Sequence, residues 1–75
     1  MEDVVLGPKT KLEADRLLAQ IGWADSMIVA VKAGVRAEGF VLGLEAAGAL
    51  RAGDAENLYV VFESALEERL KILAS

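Results

Sequence analysis

The side chains able to do chemistry are few in type: carboxylates, cations, and the hydroxyls of Thr10, Ser26, Tyr59, Ser64 and Ser75. Histidine and cysteine are both absent. The first absence removes the commonest general base and metal ligand. The second removes thiol nucleophiles, disulfides and thiolate zinc sites. Ser26, Ser64 and Ser75 have no base to activate them and read as capping or solvent-facing serines. Glu63, Glu67 and Glu68 could pair, but carboxylates at helical spacing read more simply as a solvated face. The expectation is a protein with no catalytic residues, no metal site and no cofactor.

Glycines and cations leave two weaker binding signals. Gly34-x4-Gly39 runs into Phe40-Val41, not the Lys-Ser/Thr of a phosphate loop, and no strand precedes it. Gly39-x3-Gly43 has the small-xxx-small spacing that lets two helices approach closely. Because glycine costs about 1 kcal/mol per helical position relative to alanine, two of them call for a packing reason. Lys32, Arg36 and Arg51 are candidate contacts for an anion. Trp23, Met27, Phe40 and Tyr59 are large or adaptable side chains of the kind enriched at binding hot spots. With Gly39, Gly43 and Leu44 they make up the expected partner or oligomer surface. Trp23 stands roughly 100° or more off the apolar stripe of its helix, which marks it as an exposed anchor.

The elements that must carry these residues are helices. Residues 1–9 form a short lead, a Val4-Val5-Leu6 run followed by a Gly7-Pro8 turn signal, and residues 10–75 a single helical domain. Thr10-Lys11-Leu12-Glu13 has the form of a capping box, so the first helix is expected to start at Lys11. Ala14, Leu17, Ile21, Ala24, Ile28, Val31 and Val35 then recur at steps of three and four, the pattern of one long helix over 11–33. Gly22-Trp23 is its weak point, since it could end a helix and leave Asp25 or Ser26 to cap a new one. Continuity is favoured because the stripe keeps its phase across the glycine. The polar face changes side near Gly34, which places the break at Ala33-Gly34. A second helix over 36–47 is apolar nearly all round, with Gly48 as its C′ residue. A third, over 52–73, turns Leu58, Phe62, Ala65, Leu66, Leu70 and Leu73 inward. The fold class is all-α, a helical hairpin or three-helix unit.

Composition adds a need for company. The chain has 75 residues, 55% of them hydrophobic, and a mean hydropathy of +0.39. A chain this short has mostly surface positions, so some apolar area stays outside, where it usually marks an interface. Self-association is expected, a homodimer through the first two helices. The net charge of −4 argues against attraction to nucleic acid or anionic lipid. Charge-free runs fall far short of the ~20 residues a membrane span needs. With no signal-peptide pattern at Met1-Glu2-Asp3, the expected location is the cytoplasm. These features together suggest a small protein-binding regulator or inhibitor that masks a surface on a larger protein, in the manner of a phage or bacterial accessory factor. Two alternatives are a DNA-binding, antitoxin-type module with a helix-turn-helix at Gly48–Asp54, and an oligomeric binder of small anionic ligands.

Overall fold

The computed structural model describes residues 6–75, which fold into three helices: α1 Pro8–Gly22, α2 Met27–Ala46 and α3 Ala52–Ala74. Among the described residues there is no strand. The all-α, three-helix architecture is as the sequence suggests, but the first two boundaries are not.

Pro8 opens α1. Its ring fixes a helical φ, and its missing N–H falls where a helix has no acceptor to offer. Gly7 is the N-cap, and its carbonyl accepts from the Lys11 amide at 2.9 Å. Thr10 therefore lies inside the first turn, and the expected capping box does not form. The first helix starts three residues before the expected Lys11. Residues 1–5, including Val4 and Val5 of the expected lead, lie outside the described residues. Leu6 packs against the core.

The continuous 11–33 helix is also corrected. α1 ends at Gly22, where the amides of Trp23 and Ala24 turn back to Ala19 O (2.9 Å) and Ile21 O (3.3 Å). Ser26 then starts α2 from an extended conformation, its Oγ accepting from the Val29 amide at 3.2 Å. The turn resets the helical phase. Ala14, Leu17, Ile21 and Ala24 of the apolar stripe are buried, whereas Ile28, Val31 and Val35 are exposed. In their place α2 buries Ala30, Ala33, Ala37 and Val41.

That inward row of small residues explains why there is no break at Ala33-Gly34. α2 runs straight through Gly34, whose lack of a side chain lets α3 come close: a Cβ there would stand 2.7 Å from Leu66 Cδ2. The expected 36–47 helix is thus the second half of α2. Its C-terminus matches expectation. Gly48 has φ 71°, with Gly48 N–H donating to Glu45 O (3.0 Å) and Ala49 N–H to Leu44 O (2.9 Å). This is a Schellman motif, which glycine satisfies without strain.

α2 and α3 form an antiparallel hairpin. Gly34 meets Leu66, Phe40 meets Phe62 edge-on with ring centroids 6.4 Å apart, and Tyr59 bonds Glu45. α1 closes the bundle, adding Ala14, Leu17 and Ile21 to Ala33, Ala37, Val41, Ala55, Leu58 and Phe62. Arg69 reaches back from α3 and donates from Nε to Ala24 O at 2.8 Å, bracing the α1–α2 corner. On sequence grounds Arg69 reads only as a cation suited to a helix C-terminus. The core is made largely of small side chains, and the largest fully buried ones are Leu17, Ile21, Leu58 and Val41.

Candidate interaction surface

What the core does not take remains outside, and most of it gathers on α2. At about 100° per residue, Ile28, Lys32, Val35, Gly39, Leu42 and Ala46 fall in an arc of roughly 80°, directly opposite the buried alanine row. Ile28 is 69% exposed, Val35 63% and Leu42 52%. Val31, Glu38 and Glu45 flank this strip on the side toward α3, and Arg36 and Gly43 on the side toward α1. The strip is a ridge between two grooves. One, between α2 and α3, is lined by Val31, Gly34, Val35, Tyr59, Phe62 and Leu66. The other lies between α1 and α2 and is lined by Gln20, Trp23, Val29, Lys32, Ala33 and Arg36.

At the corner above the second groove stands Trp23, 82% exposed. Met27, Ile28 and Val29 follow it in the first turn of α2, and all three are exposed. Ser26 fixes where that turn begins, and Arg69 holds the connection from behind. The corner is therefore an apolar projection on a braced support.

The expected site residues separate into three groups. Trp23 and Met27 share the corner. Gly39 and Gly43 lie on the outer side of α2, where a Cβ at either would meet nothing within 4 Å, so their packing reason is not found within the subunit. Phe40, Leu44 and Tyr59 are half-buried, and Phe40 and Tyr59 pack against the core. Of the cations, Lys32 and Arg36 line one groove, where Arg36 donates to Gln20 Oε1 at 2.9 Å. Arg51 does not join them. It stands past the far end of α2, about 15 Å of helix beyond Arg36, paired with Asp54 at 3.5 Å.

Ile28, Val31 and Val35, which the sequence groups in one apolar stripe with Ala14, Leu17, Ile21 and Ala24, separate from those four and lie on the surface, as does Leu42. A signal for the true phase was present: Ala30, Ala33 and Ala37 follow a good N-cap at Ser26 at helical spacing.

Partial burial, then the Glu45 carboxylate that it hydrogen-bonds at 3.3 Å, push the Tyr59 phenol above its ordinary pKa, and Glu38 acts in the same direction. Tyr59 is thus held as a neutral donor. Ser26 Oγ is engaged as a cap, and the Ser75 hydroxyl donates to Ile72 O at 2.8 Å. Among the described residues no three acidic side chains converge as a metal site would require. No helix there is long and apolar enough to cross a membrane. Compared with protein-family models, curated proteins and solved structures, the chain finds no match.

Proposed function

We propose that this protein is a non-enzymatic regulator or inhibitor that docks on a larger protein in the cytoplasm through the α1–α2 corner. The observation that carries this reading is the exposure of Trp23 beside Met27, Ile28 and Val29 on a braced turn. A large aromatic side chain held in water by a rigid support gives up little conformational freedom on docking, which suits it to a hot spot. Lys32 and Arg36 outnumber Asp25 in the groove below and leave it net positive, matching a partner patch with an acidic edge.

Affinity capture from the native cell or its host tests the reading when run with matched variants. A true partner is retained by the unaltered chain and by Leu42→Ala, and lost with Trp23→Ala at unchanged helical content. Equal retention by Trp23→Ala removes the corner as the docking site.

One observation favours a second reading, a binder of small anions: Lys32, Arg36 and Trp23 line the same open groove. A rise in melting temperature with nucleotides or inorganic phosphate would select it, since a ligand stabilises the state it binds. The DNA-binding alternative gains nothing from the fold. α2 and α3 run antiparallel along their lengths, not at the 90–120° of a helix-turn-helix. Exposed Glu63, Glu67 and Glu68 on α3 would also repel phosphates.

A further inference from the structure

We infer that the outer strip of α2 is covered by the same strip of a second copy, the two α2 helices lying side by side in parallel about a two-fold axis. Three observations converge on it. Ile28, Val35 and Leu42 recur every seven residues opposite the core and are more than half exposed, while Lys32, Gly39 and Ala46 alternate with them at the intervening steps of four and three. That is the a/d seam of a coiled coil, written on the solvent side of a helix whose core side is already filled. Gly39 and Ala46 let the two backbones approach closely, which gives Gly39 the packing reason it lacks within the subunit.

The second observation is area. The chain exposes 5006 Å², whereas a compact chain of 8.0 kDa is expected to expose about 4,450 Å². That surplus, spread over the whole chain, is of the size that one copy contributes to a specific interface of about 1,000 Å².

The third is charge. Arg36 flanks the strip on one side and Glu38 and Glu45 on the other. A parallel two-fold sets the basic flank of each copy against the acidic flank of its mate, with Arg36 about two residues, or ~3 Å of helix rise, from the level of the partner subunit's Glu38. An antiparallel pair would bring like flanks together. Lys32 is the one charged seam position, and a single polar residue at such a position fixes register and partner number at some cost in stability.

This inference does not depend on the docking reading: its centre is Val35, Gly39 and Leu42, and although its first seam residues, Ile28 and Lys32, border the corner, Trp23 is no part of it. Sedimentation equilibrium at micromolar concentration is expected to give twice the 8.0 kDa chain mass for the unaltered protein and the single-chain mass for Val35→Glu, with equal helical circular dichroism. Arg36→Glu and Glu38→Arg should each weaken the pair at least tenfold, and the double reversal should restore it. The chain has no cysteine, so Val35→Cys and Leu42→Cys are clean reporters: in a parallel seam each links to its own counterpart on mild oxidation. A single-chain mass for the unaltered protein at every concentration overturns the inference. So does a pair that survives Val35→Glu, or one in which neither cysteine cross-links.

Discussion

Among the side chains with polar partners, Tyr59 and Arg69 each make a measurable claim. Tyr59 donates to Glu45, and its partial burial raises the pKa of the phenol above the ordinary value of 10.0. In the unfolded chain the phenol loses its proton first, so above pH 10.0 the unfolded state binds fewer protons and stability falls as pH rises through the folded value. Below pH 10.0 that contribution is fully present. Urea melts across this range should therefore show a steeper alkaline loss for the unaltered protein than for Tyr59→Phe, and identical slopes would remove the effect. Arg69 makes the second claim. A charged donor on a loop carbonyl contributes about 1.5–3 kcal/mol, and because this bond is only part-buried Arg69→Ala falls near the low end. Chemical denaturation measures the loss, and a change within error would show the brace to be idle.

At the scale of the element, glycine says most about what could be read in advance. Gly48 and the Leu58–Phe62–Ala65–Leu66 face of α3 are legible because each depends on local rules, a left-handed C′ residue and an unbroken 3.6-residue period. The α1–α2 corner is not legible in the same way. Seven apolar residues hold one phase through Gly22 and mask the weaker signal, the helical spacing of Ala30, Ala33 and Ala37 after Ser26, that α2 turns its alanines inward instead. Gly34 misleads for a related reason. Its neighbour is Leu66, thirty-two positions along the chain, and no local pattern announces a contact of that separation. Comparing two glycines tests this account. Gly53→Ala, with nothing within 4 Å of the added Cβ, should stabilise by about 0.5–1 kcal/mol. Gly34→Ala gains the same helix propensity but has to displace the Leu66 methyl, so its melting temperature should rise less or fall. Equal gains at both positions would mean that α2 and α3 are not in close contact there.

Among the described residues, the exposed apolar side chains from Trp23 through α2 form two surfaces that meet at Ile28, the corner around Trp23 and the strip along α2. That the chain carries more apolar area than so small a core can hide was evident from composition, but its division into two places was not. It follows from the reset of phase at Ser26. Trp23 is the only tryptophan, so its fluorescence reports on one surface alone. Emission should be that of a water-exposed indole, readily quenched by iodide, and should not shift when copies associate through α2. A blue shift on dilution-reversible association would place the corner inside the self-contact and deny it to another partner.

The hydrogen bond from Arg69 to Ala24 O spans 45 positions of the chain, which bears on how the protein comes into being. On the ribosome, α1, the corner and α2 all emerge long before the guanidinium that holds them. Until that residue clears the exit tunnel, Trp23 rides on a tether and not on a platform. A nascent chain would thus display its stickiest side chain in its least selective form, and limited proteolysis of stalled chains should cut at Trp23–Asp25 until the arginine is out.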